Sequence, residues 1–402
     1  MPPHVLIIVE NLPVPRDHRV WLIATSLRKA GCAVTVISPS DGRSAPGAFG
    51  KEGITILRHK LYQAKSWLGY PFEYLEALAK EFFLARRIWK KKPFQIIHVC
   101  DPPDLLWLLA ARYQKRGVKY VFDHHDLCPE LILAKRGVDD PAKLTFPFGL
   151  LYRLMLWLEK QAVKRADLVL STNATYEEIA LARDGLPKEK SRVVRSGPRR
   201  SELRFAPEEA GGADRPREGE SLRLAYVGVM ARQDGVDILL KAAALLKEKK
   251  LDFRLTLMGD GPEFENLKAL ARELRLEKET EFTGFLAKEE FQKRLLASDL
   301  GVTPDPLTPM NDASTMLKTF DYMACGLPQV MFDLKEHRAT CKDAALYVSP
   351  SAPEALAEGI ARFASDPELR EKMRREARAR IAELTWEGQG EAALLQAYAS
   401  LS

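Results

Sequence analysis

Short apolar runs alternate with amphipathic stretches along the whole chain, and that rhythm predicts βα units on parallel sheets. Residues 4–10 read as a first strand, followed by the loop 11–19 and a helix carrying Val20, Leu22, Ile23 and Leu27 that stops at Gly31. Strand patterns recur at 33–38, 54–57, 95–99, 120–123, 167–170 and 192–195. Residues 206–221 hold no apolar run and are rich in Gly, Pro and charge, the composition of a linker. The rhythm then restarts, with strands expected at 222–227, 253–258, 281–283, 300–302, 329–332 and 346–348. From about 353 onward the pattern is helical. The expected fold is α/β, with two Rossmann-like domains facing a cleft. They are 1–205 and 222–385, joined by 206–221, with a closing helix over 386–402 that packs back on the first. Open α/β sheets bind ligands at the carboxyl ends of their strands, so the cleft is the expected ligand site.

Composition narrows this little. The chain has 402 residues, long enough for two domains, and 46% hydrophobic residues, enough for two cores. Its formal charge is +6, from 61 basic and 55 acidic residues, with no concentrated basic face of the kind nucleic acid requires. The five cysteines are scattered and form no C-x-x-C pair, which fits a reducing compartment. The apolar run Val5–Val9 is too short for a signal h-region and lacks a basic lead, so a cytoplasmic location is expected. Asn173–Thr175 matches a glycosylation sequon, read as chance.

The most informative stretch runs from Pro304 to Pro328, a proline-punctuated loop opening onto a helix that Gly326 and Pro328 stop. A helix N-terminus offers free N–H groups and positive dipole to an anion. Lys318 lies one turn in, and helical side chains tilt back toward the N-terminus. Spacing puts Ser314, Lys318 and Asp321 on one stripe, joining a phosphate-holding amine to a carboxylate able to grip sugar hydroxyls.

These residues carry a resemblance. Tyr226–Met230, Met258–Pro262, Phe282–Phe285 and the run from Pro304 through Asp333 resemble, in order and spacing, the family 4 glycosyltransferases of GT-B architecture. The similarity extends over nearly the whole chain and includes bacterial envelope polysaccharide and glycolipid transferases. It implies a nucleotide-sugar donor on the C-terminal domain. Gly228, Gly259, Gly261, Gly284 and Phe285 would approach the nucleotide through backbone. The amides of Ser314, Thr315 and Met316 would hold the diphosphate, assisted by Lys318 and Arg232. Asp321 would stand in for the ribose-gripping glutamate. Three positions depart from the pattern: Ala313 replaces a glutamate, and Val229 and Asp234 fall where the family has Arg and Lys. The resemblance further implies transfer with retention at the anomeric carbon, in which the leaving diphosphate helps deprotonate the acceptor. No cofactor and no metal are expected.

In the N-terminal half, Asp123–Glu130 follows a strand, and the resemblance places a donor-sugar-contacting histidine there, with His125 the better candidate and His124 or His125 capping a buried turn. Neighbouring histidines on a strand point to opposite faces, which argues against a shared metal. Arg16, Asp17, Arg19, His98, Asp101 and Glu130 are further acceptor or cleft candidates, although Asp17 and Arg19 equally suit capping the following helix. Residues 85–93 and 152–165 mix Lys and Arg with Trp and aliphatics, so peripheral contact with an anionic membrane and a lipid-linked acceptor are expected beside a glycan or small-molecule acceptor. Ordinary basic surface over a buried apolar face fits the same helices. Two alternatives share the architecture: a nucleotide-sugar epimerase and a catalytically silent nucleotide-sugar-binding protein.

Overall fold

Continuous Val, Ile and Leu runs mark strands buried on both faces, as parallel sheets require, and such runs fill two sheets in the computed structural model, which describes residues 2–41, 44–60, 69–204 and 221–401. The described residues form two compact units. The first draws on 1–132, 141–196 and 389–402; the second draws on 133–140 and 197–388. The first unit thus ends at Ser196 rather than at 205. The expected linker 206–221 lies outside the described residues except at Ser221.

The first unit holds β1 (His4–Ile8), α1 (His18–Lys29), β2 (Ala33–Ser40), β3 (Gly47–Lys51), β4 (Ile54–Lys60), α2 (Tyr70–Lys91), β5 (Ile96–Cys100), α3 (Trp107–Gln114), β6 (Lys119–His124), the start of α4 (Cys128–Arg136), α5 (Phe148–Arg165), β7 (Leu168–Ser171), α6 (Ala174–Ala182) and β8 (Ser191–Val193). Its strand order is β3-β4-β2-β1-β5-β6-β7-β8. Every pair is parallel except β3 with β4. The apolar runs expected as strands all lie on strands here. The hairpin strand β3 went unpredicted because Gly47-Ala-Phe-Gly-Lys51 carries two glycines and one large apolar side chain; it survives as a largely exposed edge.

The second unit holds β9 (Leu222–Val227), α7 (Val236–Glu248), β10 (Phe253–Met258), α8 (Phe264–Glu273), β11 (Thr280–Gly284), α9 (Lys288–Leu296), β12 (Leu300–Thr303), α10 (Pro309–Ala313), α11 (Leu317–Ala324), β13 (Gln329–Phe332), α12 (Lys335–Cys341), β14 (Ala345–Val348), α13 (Pro353–Ser365) and α14 (Pro367–Glu383). Its six strands run parallel in the order β11-β10-β9-β12-β13-β14. Tyr226, Leu257, Val302 and Phe332 lie in its core. A π-helical turn at Trp386–Gly390 leads to α15 (Glu391–Ala399), which belongs to the first unit; there Ser26 Oγ donates to Glu391 at 2.7 Å.

Strand order locates the ligand side of each sheet. In the second sheet the chain winds outward in opposite directions from β9 and β12. The loops after these two strands therefore diverge and open a crevice at their carboxyl ends. The same reversal in the first sheet falls between β1 and β5.

Candidate functional site

In the second unit, three glycines end adjacent strands and are stitched together through backbone. The Gly228 amide donates to Met258 O, and the Gly259 amide to Gly284 O, each at 3.0 Å. Gly259 has φ +140°, and a Cβ there would stand 1.9 Å from Gly228 O, so only glycine fits. A Cβ on Gly261 would meet Met230 O at 2.5 Å. The strand ends thus present backbone rather than side chains. Phe285, next along, is 65% exposed.

Lys318 comes to the same place from α11. A Cβ on Gly228 would lie 3.3 Å from Lys318 Cε. The amine is buried, with Nζ 5.0 Å from the Tyr226 ring centroid. It donates to both oxygens of Asp305, each at 2.8 Å, and lies 3.8 Å from Asp234 Oδ1. Burial pushes the Asp234 carboxyl up to about 6, with Lys318 pulling the other way and Asp305 adding to the rise. Lys318 is therefore an amine clamped between two carboxylates at the end of β9, not the free cation the spacing suggested.

The expected single helix after Pro304 is two. Thr308 caps α10 by accepting the Asn311 amide at 3.1 Å, with Pro309 in its first turn. Ser314 then turns extended (φ −94°, ψ 135°), so it leaves the stripe, which holds only Lys318 and Asp321 of the three. The Ser314 amide is spent on Asn311 O at 3.2 Å, and its hydroxyl on Met310 O at 2.7 Å. Thr315 Oγ1 donates to Glu336 at 3.2 Å. Met316 caps α11 without a side-chain bond, and the amides of Leu317 and Lys318 donate to no oxygen among the described residues. Of the expected amides Ser314's is taken, whereas Met316's, like those of Leu317 and Lys318, donates to no oxygen among the described residues. Asp321 lies one turn further on. Burial, with the charge of Glu202 adding, raises its carboxyl to about 7; Lys288 lowers it. Arg232 does not join Lys318: it is exposed, with its guanidinium against Gly137, where a Cβ would meet Arg232 Cζ at 2.8 Å.

In the first unit the carboxyl end of β6 is organised around Asp123, which is fully buried. Arg19 grips it through Nη2 at 2.6 Å and Nε at 3.2 Å, and also donates to Val194 O and Ser196 Oγ. His98 Nε2 lies 3.2 Å from Asp123 and His98 Nδ1 2.6 Å from the Tyr398 hydroxyl. His125 Nε2 lies 2.7 Å from Asp123, and its amide donates to Asp101. Burial works to raise the Asp123 carboxyl, but Arg19, His125 and His98 together hold it well below the usual range. His125 keeps some exposure, 14% of its side chain. His124 is the fully buried member of the pair, and burial drives its imidazole down to about 3.

Several cleft candidates prove internal. Asp17 caps α1, accepting the Val20 amide at 2.9 Å. Arg19 and His98 are buried partners of Asp123, and Asp101 is buried and accepts the His125 amide. Glu130 pairs with Arg183 at 2.6 Å, and Arg16 pairs with Asp41. The same physics explains the five buried ones, whereas Arg16 keeps 40% of its side chain exposed. A charged residue beside a buried strand end is needed first for the backbone and for its neighbours, and only the surplus faces a ligand. His98, Cys100 and Asp123 stand close enough to ligate one ion. Asp123, however, is already filled by the Arg19 cation. Asp123 and Asp305 were not singled out from sequence; their position at the carboxyl end of β6 and two residues beyond β12 was the available signal.

Two family profiles match this chain: "Glycosyl transferase 4-like domain" over residues 17–197 and "Glycosyl transferases group 1" over residues 213–380. With the two sheets and their glycine-lined strand ends, these matches place the chain in a defined class, the GT-B glycosyltransferases. Within that class it belongs to the family 4-like glycosyltransferases. It is similar to the alpha-D-kanosaminyltransferase of Streptomyces kanamyceticus, 26% identical over 54% of this chain and 56% of that one. The chain spans about half the length of the curated relatives it matches. Among solved structures it shares its fold with the sucrose-phosphate synthase of Thermosynechococcus elongatus (TM-score 0.79, 20% identity, 99% of each chain). It also shares it with Anabaena HepE in complex with UDP-glucose (TM-score 0.70, 15% identity, 99% of this chain and 100% of that one).

Proposed function

We propose that this protein is a retaining glycosyltransferase that moves a sugar from a nucleotide-sugar donor to a glycan or lipid-linked acceptor. The observation that carries the reading is the convergence of Lys318 on Gly228, beside the open first turn of α11. A diphosphate there meets backbone that can approach closely, a helix dipole and one amine. Anabaena HepE, of like fold, is seen with UDP-glucose, which supports a donor of this class.

In the reaction the glycosidic bond to the donor phosphate breaks and charge develops on the leaving diphosphate. The first-turn amides of α11 and Lys318 stabilise that charge. Asp234 and Asp305 leave Lys318 with little net charge of its own, so the backbone donors carry a large share. A phosphate oxygen of the leaving group takes the acceptor's proton, which needs neither a protein nucleophile nor a metal. Asp321 accepts from ribose hydroxyls when ionised. His125, held by Asp123, donates to the sugar.

The acceptor side is proposed to work at the inner face of a membrane. No described helix is long and apolar enough to cross one. Phe146, Leu150, Leu154 and Trp157 nevertheless form a solvent-exposed apolar stripe along α5 and its entry, with Arg153, Lys164 and Arg165 beside it. The test of the transfer is a panel of UDP-, GDP-, ADP- and dTDP-sugars with anomer-resolved product analysis. Free sugar or glycoside of retained configuration is expected from at least one donor. Tight nucleotide binding with no turnover of any donor would refute it.

A further inference from the structure

Below the carboxyl ends of β5 and β6 lies a second set of buried groups that the proposed transfer does not use. Asp101 follows β5, Asp104 lies on the 3-10 turn before α3, and Cys128 opens α4. They are 1%, 3% and 8% exposed. One carboxylate oxygen from each aspartate and the Cys128 sulfur lie within 4.8 Å of one another. Three ligand atoms that close leave room for one ion at ordinary coordination distances, roughly 2.0–2.3 Å for oxygen and sulfur on zinc.

An acidic cluster is not by itself a site, and here other groups point the same way. His124 is fully buried and hydrogen-bonded at neither ring nitrogen. Its Nε2 lies 4.0 Å from Asp101 Oδ2 and 3.4 Å from Glu159 Oε1. The Tyr120 hydroxyl is buried without a partner, and Asp104 and Asp101 are the nearest charges acting on it. Asp101 Oδ2 also lacks a partner. The charge is one-sided: the Arg183 cation pairs with Glu130 and Glu159, and among the described residues no Lys or Arg lies in ion-pair range of Asp101 or Asp104.

We propose that the first unit binds one divalent transition-metal cation of the zinc class through Asp101, Asp104 and Cys128, with His124 as the adjacent nitrogen donor. A thiolate with carboxylates and an imidazole suits that class better than Mg²⁺ or Ca²⁺, which prefer all-oxygen shells. On binding, the Cys128 thiol and any protonated carboxyl lose their protons to solvent. No electron is transferred, and the role is structural. The reading is independent of the proposed donor chemistry.

The test uses the full chain, dialysed against chelator and titrated with Zn²⁺ and Co²⁺. One bound ion per chain is expected, with a rise in melting temperature and, for Co²⁺, a thiolate-to-cobalt charge-transfer band. Cys128→Ser should abolish the band and weaken binding roughly tenfold or more, while Cys341→Ser keeps both. Should Cys128→Ser not fold, Asp104→Asn with circular dichroism serves in its place and should weaken binding similarly. A cluster holding only water shows no stoichiometric binding and no thermal response, which would overturn the proposal. A band that survives in Cys128→Ser would also overturn it.

Discussion

Lys318 is the residue on which most of the donor chemistry turns, and its two carboxylate neighbours change what its removal should do. Taking away the amine leaves Asp305 buried and unpaired, a loss of about 3–5 kcal/mol for a buried pair broken on one side. Lys318→Ala is therefore expected to lower the melting temperature. Lys318→Met with Asp305→Asn removes the stranded charge, and calorimetric melting should show most of the stability regained. A double variant as unstable as the single one would mean that Asp305 is held by something other than Lys318. Asp321 gives a second prediction. Its folded carboxyl titrates near 7 against an ordinary 3.8, raised first by burial. The unfolded chain thus releases this proton at lower pH than the folded one, so the group's contribution favours folding least above pH 7 and is progressively lost as pH climbs from about 4 to 7. Asp321→Asn should flatten that slope in denaturant titrations at several pH values. The same carboxylate must be ionised to accept from ribose, so donor affinity should rise with pH through about 7 in the parent and not in the variant.

Among the elements, the strands were legible because buried parallel strands are written as uninterrupted apolar runs, such as Ile96-Ile-His-Val-Cys100. Elements set by one cap or one edge were not. β3 rests on pairing with β4 alone, and α10 is five residues held by Thr308 and Pro309. That short helix takes up the Ser314 amide and leaves the anion-facing turn at Met316, Leu317 and Lys318. In the site, the residue types were legible and the pairings were not. Asp17 was legible as a helix cap, and it accepts the Val20 amide, but Arg19 and His98 look like ligand groups in sequence because no local signal says that Asp123 and Tyr398 already hold them. α5 supports a prediction of its own. Leu154 and Trp157 are 45% and 51% exposed on a helix whose opposite face buries Leu158, Ala162 and Val163. Leu154→Glu with Trp157→Glu should abolish co-sedimentation with anionic vesicles while leaving the melting temperature within about 1 °C, since exposed substitutions change stability by about ±0.5 kcal/mol or less. Vesicle binding unchanged by the double substitution would remove α5 from the membrane reading.

For the whole molecule, the two sheets divide the labour by where their strand order reverses. In the second, the reversal between β9 and β12 brings Gly228, Asp234, Asp305 and Lys318 to one place. The substitutions that set this chain apart from its family's pattern, Val229 and Asp234, sit in that same loop. They make a site in which a single amine is balanced by two carboxylates, so that neutral backbone donors matter more than cations. Such a site should bind a nucleotide diphosphate with a shallow dependence on salt, since screening acts on charge and leaves amide donors in place. The central claim is that the second unit holds a nucleotide-sugar through α11 and Lys318. Isothermal titration of the protein and of the stable Lys318→Met, Asp305→Asn variant with UDP, GDP, ADP, dTDP and their sugars tests it most directly. At least one nucleotide-sugar should bind the parent, and the variant should bind it about tenfold more weakly, the low end of what one hydrogen bond to a charged group contributes. Undiminished binding in the variant, or no binding of any nucleotide to the parent, would contradict the account.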